Sequence, residues 1–463
     1  MMDTASAARV VQGRMLGASV RFTRVTTDTR SLAPGDLFVA LKGERHDGHD
    51  FVPSAFAGGA AAALVAEGRA STLAGNLIAV PDALAALGAL AAHWRCQFTI
   101  PVIVIVGSNG KTTVKEMLAE ILRRHFEAVG GAAAVLATAG NLNNAIGLPL
   151  TLLRLRNEHK VAVIELGMNH PGETAELAAI ARPTVALINN AQREHQEFMN
   201  SVAEVAAEHA ALVRALPDDG FAVLNGDDAL VDVWRAAARE RHGIAAIEFA
   251  LDHRAAVRGR SRPSPNGNLL EIATPAGEVT VDLAAPGRHN AANALAASTA
   301  ALAVGVPLAA VARGLAAFRP VSGRLATVRA ASGAAVIDDT YNANPDSARA
   351  AIDVLAAAPR PRWLALGDMG EVGAHGPAFH REIGEYARAA GIDRLLTTGT
   401  LAAEAAAAFG TGAEHFASVT ALAAHLAEAA NPGTTLLVKG SRFMRMERVV
   451  AAVCGTASVA GAH

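Results

Sequence analysis

The chain has 463 residues, 51% of them hydrophobic, which is enough for about three domains of roughly 150 residues with several buried cores. Its 41 basic and 43 acidic residues leave a net charge of −2, without the electrostatic footprint of a nucleic-acid or membrane-surface protein. Two cysteines, Cys96 and Cys454, stand in no metal-like spacing and fit a reducing cytoplasm, the opening MMDTASAARVVQGRM lacks an unbroken apolar leader segment, and no apolar run approaches the roughly 20 residues of a membrane span.

Residues 1–98 read as a small α/β domain. Val25–Arg30 leads to a turn, Ala33-Pro34-Gly35-Asp36, and a strand, Leu37–Leu41. The loop from Lys42 to Asp50 (KGERHDGHD) is rich in charge and glycine. It suits an anionic ligand and a solvated surface equally well.

Residues 99–318 open with VIVIVGSNGKTT. Five β-branched residues, Val102–Val106, predict a buried parallel strand. The turn Gly107-Ser108-Asn109-Gly110 follows, and Lys111, Thr112 and Thr113 open a helix, VKEMLAEILRRHF. Strand, Gly-rich turn and helix N-terminus in that order make a phosphate site. Backbone N–H groups converge, the helix dipole favours an anion, and the lysine adds a full charge. The hydroxyl of Thr112 is the usual inner ligand of a nucleotide-bound Mg²⁺. The spacing departs from GxxxxGK[ST], because Ile105 stands where the first Gly would be. A nucleotide triphosphate and Mg²⁺ are therefore expected here.

Downstream, Thr138-Ala139-Gly140-Asn141-Leu142-Asn143-Asn144 offers amide donors and acceptors suited to a peptide or sugar, although an Asn-rich loop alone is more often a turn. A strand over Val161–Leu166 places Glu165 at its carboxyl end, where parallel sheets bind ligands and where a Walker-B-type carboxylate holds Mg²⁺. A further strand, Thr184–Ile188, runs into Asn189-Asn190 and on to His195, which by itself reads as a core histidine. A helix over Ser201–Leu216 sets Glu204 and Glu208 one turn apart. Gly287 to Asn293 opens an Ala-rich helix.

From 319 to 463 the pattern restarts. Ala334–Ile337, Trp363–Leu366, Arg394–Thr398 and Thr435–Val438 are short apolar runs followed by polar loops, which predicts a second parallel sheet with right-handed crossovers. Polar residues gather at their ends: Asp338–Asn342, Gly367–Glu371 and Lys439–Arg442. The overall expectation is an α/β fold of three domains, a central P-loop parallel-sheet ATPase followed by a Rossmann-like C-terminal domain.

Several stretches make the chain resemble the Mur ligase family from about Val25 to Val450. GSNGKTT at 107–113 is shared with folylpolyglutamate synthases. LKGERHDGHDF at 41–51, GNLNNAIGLPLTLL at 140–153, ELGMNHPGE at 165–173, DDTYNANPDS at 338–347, LGDMGEVG at 366–373 and KGSRFMRME at 439–447 resemble one branch of the family. That branch adds D-alanyl-D-alanine to a UDP-N-acetylmuramoyl tripeptide.

The resemblance implies a first domain for the UDP end, a second for ATP and a third that brings the dipeptide and closes over the site. It also implies an acyl-phosphate route in peptidoglycan precursor synthesis, in the cytoplasm, by an enzyme expected to be a monomer. It carries Asn290 to the adenine contact and Arg324 to an arginine brought to the γ-phosphate. It carries Asp339 to the ribose and His195 to a second Mg²⁺. Catalysis is thus expected from Lys111, Glu165, His195 and Arg324. The sugar nucleotide is expected on Asp28, Thr29, Arg30, Lys42, Gly43 and Arg45, and its peptide stem on Thr138, Asn141, Asn143 and Asn144. The dipeptide is expected on Asn342, Asn344, Lys439 and Arg442. One departure stands out. Many Mur ligases hold the second Mg²⁺ with a carbamylated lysine on the helix after the His motif, whereas this chain has no lysine between Lys160 and Lys439. Glu208 stands near that place, and with Thr112, Glu165 and His195 it completes the expected metal set.

Overall fold

The computed structural model describes residues 1–456 other than 242. Three sheets follow one another along the chain. The first has five strands, in the order Arg14–Leu16, Leu77–Val80, Ala62–Ala66, Asp36–Val39 and Arg24–Thr26, all parallel except Arg14–Leu16.

The second sheet has nine strands. Seven are parallel: Val135–Ala137, Val161–Glu165, Val102–Val106, Val185–Ile188, Phe221–Asn225, Ala245–Ala250 and Val257–Ser264. The β-branched strand Val102–Val106 lies between Val161–Glu165 and Val185–Ile188, and all five of its residues are buried. Its side chains alternate between two separate cores. Val102, Val104 and Val106 pack with Ala162, Ile164, Ala186 and Ile188 on one face. Ile103 and Ile105 pack with Val163, Val185, Leu187, Val114, Met117 and Leu118 on the other. A strand covered on both faces reads as a continuous apolar run. The first core also contains Phe22, Leu37, Leu64 and Ile78, so the first sheet shares it.

The parallel expectation for this sheet needs a correction at one edge. Gly267–Thr274 and Gly277–Leu283 add an antiparallel meander after Val257–Ser264. Asn266-Gly267 is a hairpin signal, and the alternation of buried Leu270 and Ile272 around exposed Glu271 is a half-buried strand pattern, so this edge was open to a sequence reading.

The helix Lys111–His125 buries Val114, Met117, Leu118, Ile121 and Leu122, the i, i+3, i+4 stripe of a core-facing helix. It packs against the helices Arg288–Ala303 and Leu308–Ala317. The approach to the latter is so close that a Cβ on Gly314 would lie 2.3 Å from the Ile121 Cα.

The third sheet has six strands, in the order Ala326–Arg329, Ala335–Asp339, Thr435–Lys439, Arg362–Gly367, Arg394–Thr398 and Ala413–Phe416. The four inner strands correspond to the four apolar runs read from sequence. The two edge strands escaped that reading because their residues are largely exposed and lack an apolar run. Ala326–Arg329 pairs antiparallel and the others are parallel. Alternation again splits two cores: Ile337, Leu364, Leu366, Leu395 and Leu437 on one face, Val336, Trp363, Ala365, Leu396, Leu436 and Val438 on the other.

Candidate active site

The carboxyl ends of the central parallel strands converge on the Gly107–Gly110 turn. Gly107 and Gly110 have φ of +146° and +84°. A Cβ on Gly110 would lie 2.4 Å from Asn293 Oδ1 and 2.7 Å from Asn189 Nδ2, so glycine is required for both conformation and space. The turn is braced by the loop after Val185–Ile188. Asn190 Oδ1 accepts from Asn109 N at 2.8 Å, Asn189 Nδ2 donates to Asn109 O at 2.8 Å, and Gln192 N donates to Ser108 Oγ at 2.8 Å. Asn189 Nδ2 also donates to Asn293 Oδ1 at 2.8 Å, and Asn293 Nδ2 to Asn290 Oδ1 at 3.1 Å, which ties the turn to the Ala-rich helix.

Lys111 opens the helix, and its Nζ donates back to Gly107 O across the turn. Thr112 Oγ1 donates to Glu165 Oε2 at 2.8 Å, and Asn143 Nδ2 donates to Glu165 Oε1 at 2.8 Å. The hydroxyl and carboxylate expected to share a cation are therefore adjacent, at 7% and 2% exposure. Thr112, Thr113, Asn141, Asn143, Asn144, Glu165, His195, Asn290, Arg324, Asp339, Asn342, Asn344 and Lys439 all line one cleft of about 1770 Å³ with the phosphate turn.

The third sheet contributes the opposite wall. Arg324 lies over the Tyr341 ring at 4.1 Å. The preceding Gly323 N–H donates to Asp338 Oδ2 at 2.8 Å, and Thr340 Oγ1 donates to Asp338 Oδ1 at 2.6 Å. Asp338 thus holds the loop carrying Arg324 rather than facing a ligand. The two walls touch directly. His195 Nδ1 lies 2.7 Å from Glu371 Oε2, and Asn344 Nδ2 donates to Asn109 Oδ1 at 3.0 Å. His195 and Glu371 have φ of +49° and +56°, a left-handed backbone uncommon outside glycine and concentrated at functional sites.

Several expected ligand residues are committed elsewhere. Glu208 does not face His195: its Oε2 accepts from Gly172 N at 2.9 Å and its Oε1 from Thr174 N at 2.7 Å. These N–H groups open the helix Glu173–Ala181, so Glu208 caps a helix terminus, where a carboxylate is favoured by the dipole. Thr138 is buried outside the cleft, accepting from Glu165 N at 3.0 Å through its hydroxyl and from the buried Lys115 Nζ at 2.8 Å through its carbonyl. Lys439 is 3% exposed and donates to Asp339 Oδ2 at 2.6 Å and to Asn342 O at 2.9 Å, so its charge is satisfied within the wall. Asn144 Oδ1 accepts from Ile146 N at 3.1 Å and Gly147 N at 2.9 Å in the turn before the helix Gly147–Leu152, and Asn344 caps Pro345–Ala356 with a capping box. Arg442 lies outside the cleft and pairs with Glu447 at 3.3 Å. Asp28, Thr29, Arg30, Lys42, Gly43 and Arg45 all belong to the first sheet's loops and do not line the cleft. Asp28 pairs with Arg30 at 2.7 Å, and Lys42 bridges to Asp47 at the base of the charged loop.

Two residues that the sequence did not single out stand at the centre. Glu194 lies beside the phosphate turn, its Oε2 3.4 Å from Lys111 Nζ and 3.7 Å from His195 Nε2. His209, on the helix Val202–Arg214, places Nε2 3.5 Å from Glu194 Oε1. Burial pushes the Glu194 carboxyl up, but Lys111, His209 and His195 together outweigh it and hold it well below the usual carboxylate range. Adjacency to His195 was the available signal for Glu194. For His209 the signal was helical spacing, which sets it on the apolar stripe of its helix with Val205, Ala206, Leu212 and Val213. Among the described residues, no three His, Cys, Asp or Glu side chains converge tightly enough to hold a metal unaided. A cation there would share its shell with ligand oxygens and water, as Mg²⁺ commonly does.

Family models match along the chain: "Mur ligase family, catalytic domain" over 21–125, "Mur ligase middle domain" over 105–301, and "Mur ligase, glutamate ligase domain" over 323–442. The UDP-N-acetylmuramoyl-tripeptide--D-alanyl-D-alanine ligase of Escherichia coli (strain K12) is 44% identical over 96% of both chains. The chain belongs to the Mur ligase family. The enzyme of the same name from Haemophilus influenzae is 36% identical over 97% of both chains. Among solved structures, MurF from Acinetobacter baumannii superposes with a TM-score of 0.89 at 32% identity, covering 98% of this Mur ligase and 99% of that chain. MurF ligase from Thermotoga maritima, in complex with ADP, gives 0.81 at 26% identity, covering 93% and 97%. No helix among the described residues of this Mur ligase is long and apolar enough to cross a membrane.

Proposed function

We propose that this Mur ligase is the ATP-dependent ligase that joins D-alanyl-D-alanine to UDP-N-acetylmuramoyl-tripeptide in peptidoglycan precursor synthesis, through an acyl phosphate. The observation that carries the reading is full-length identity of 44% to a ligase of that name, together with a phosphate turn and an arginine loop facing one cleft.

A carboxylate is a poor acyl donor. Transfer of the γ-phosphoryl group of ATP to the terminal carboxylate of the tripeptide makes it reactive. The amine of D-alanyl-D-alanine then attacks the acyl carbon, and the tetrahedral intermediate collapses to amide and phosphate. Bringing a triphosphate and a carboxylate together requires positive charge. Lys111 and the N–H groups of Gly107–Thr113 supply it at the β- and γ-phosphates. Arg324 supplies it from the other wall, in the manner of an arginine finger. Asn290 serves the adenine and Asp339 the ribose, with Lys439 holding Asp339 in place. Thr112 and Glu165 would hold one Mg²⁺ and His195 a second, and these ions would supply neutralisation of the phosphate charge beside the acceptor carboxylate.

In this reading residues 1–98 bind the UDP end through Asp28, Thr29, Arg30, Lys42, Gly43 and Arg45. Residues 99–318 bind ATP and, through Asn141 and Asn143, the peptide stem. Residues 319–463 bring the dipeptide, with Asn342 as its contact in the cleft. The enzyme acts as a cytoplasmic monomer. The deciding experiment measures phosphate released from ATP in the presence of UDP-muramoyl tripeptide while the amine is varied. D-alanyl-D-alanine should support release and single amino acids should not. Release driven equally by a single amino acid would overturn the assignment.

A further inference from the structure

The described cleft contains a buried carboxylate for which the phosphate reading has no use. Glu194 is 6% exposed, and it faces the space where ATP phosphates would lie. An anion beside an anion site is repulsive unless a cation stands between them. One of its oxygens meets Lys111 Nζ and His195 Nε2 at 3.4 and 3.7 Å. The other, Oε1, is fully buried without a well-formed hydrogen bond, and His209 Nε2 lies 3.5 Å behind it. The His209 side chain is 2% exposed, and its Nδ1 is likewise buried without a partner. Unsatisfied buried polar atoms are costly in a finished core and point to an absent ligand or to a role in function.

Octahedral Mg²⁺ with donors at about 2.1 Å sets neighbouring donors about 3.0 Å apart and opposite ones about 4.2 Å apart. Glu194 Oε2 and His195 Nε2, at 3.7 Å, reach the neighbouring arrangement by closing through less than about 1 Å, within the reach of side-chain rotation. The helix Val202–Arg214 carries no lysine, so no carbamate can form on it. Glu208, on the same helix, is spent on capping Glu173–Ala181 and does not face His195.

We propose that Glu194, braced from behind by His209, is the carboxylate that organises this half of the site. It orients Lys111 and His195 and, with His195, holds a second divalent cation, so that the enzyme works without CO₂. The proposal rests on the ATP-ligase reading above and extends it to residues that reading leaves idle.

Mn²⁺ serves as the probe. Electron paramagnetic resonance counts Mn²⁺ bound to the full chain in the presence of a non-hydrolysable ATP analogue, in CO₂-free buffer and again with bicarbonate. The wild type should bind two Mn²⁺ per chain under both conditions. Glu194→Gln, nearly isosteric but neutral, should bind one. His209→Ala should keep two sites, with the weaker affinity falling roughly 10–100-fold, the scale seen when a residue supporting a metal ligand is lost. Glu194→Asp should restore part of the second site, which a merely structural pair would not do. If Glu194→Gln does not fold, the wild type and His209→Ala arms still decide. Two sites of unchanged affinity in Glu194→Gln or His209→Ala overturn the proposal. So does a wild type whose second site appears only with bicarbonate. The amine-dependent phosphate assay on the wild type is read separately, so failure of the ligase reading is distinguishable from failure of this one.

Discussion

Arg193 of the central unit forms a two-pronged ion pair with Asp346 of the third unit, Nη2 to Oδ1 at 2.6 Å and Nε to Oδ2 at 3.2 Å. The same guanidinium reaches Glu382 at 2.7 and 3.0 Å, and the backbone N–H of Arg193 donates to Asp346 Oδ2 at 2.9 Å. Planar, bidentate pairing of this kind fixes geometry as well as adding energy. It sets the wall bearing Arg324 against the wall bearing Lys111. We expect Arg193→Ala to loosen that docking, with the hinge at Phe318–Gly323. Solution scattering with ATP analogue and sugar nucleotide should show a larger radius in the variant than in the wild type. A double-mutant cycle with Asp346→Ala should give a coupling energy on the order of 1–2 kcal/mol. An unchanged radius and zero coupling would remove the latch.

The latch has a defined pH dependence. Hydrogen bonding to Arg193 holds the Glu382 carboxyl below its ordinary value, with the partial burial of the pair opposing. A depressed carboxylate contributes stability that is fully present above its unfolded pKa. That stability is lost as pH falls through the folded value. The liganded protein should therefore stay compact from neutral pH down into the usual carboxylate range and open only below it. Glu382→Gln should open at higher pH, as followed by scattering across an acid titration.

Lys111→Ala should leave the fold intact and abolish ligation. In the proposed reaction the ammonium serves the transferring phosphoryl group, and its loss would be worth about 3–4 kcal/mol by analogy with a lost oxyanion donor. Circular dichroism checks the fold and phosphate release checks the turnover. Normal turnover in a folded variant would remove the phosphate-site assignment.

Glu208→Ala should leave Mg²⁺ dependence at the wild-type value and cost about 1 kcal/mol of stability, the worth of a helix cap. The two readouts separate it from Glu194→Gln. A Mg²⁺ titration shifted tenfold in Glu208→Ala would restore Glu208 to the metal site and contradict its observed partners, Gly172 and Thr174.

The buried pair Lys439–Asp339 should behave as a unit. Lys439→Met alone leaves the Asp339 carboxylate unpaired and should cost on the order of 3–5 kcal/mol. Adding Asp339→Asn should recover a large part of that loss. Denaturant unfolding of the two variants measures the difference, and equal stabilities would show that Lys439 is not needed to balance Asp339.

What the sequence by itself determined was local. The run Val102–Val106 with a glycine turn and Lys111 specifies strand, loop and helix through neighbouring residues alone, and the structure shows all three. The four inner strands of the third sheet were legible for the same reason, since burial on both faces leaves a continuous apolar run. The edge strands Ala326–Arg329 and Ala413–Phe416 leave no such mark. Partner choice was not local. Glu208 and His209 are adjacent on one helix, and a turn of about 100° separates a residue that caps another helix from one that faces Glu194. Lys439 reads as a free cation until Asp339, one hundred residues earlier, is placed beside it by the parallel pairing of their strands. Which charge meets which is set by helix rotation and strand register. Those depend on packing between segments far apart in the chain, so only the tertiary structure decides them.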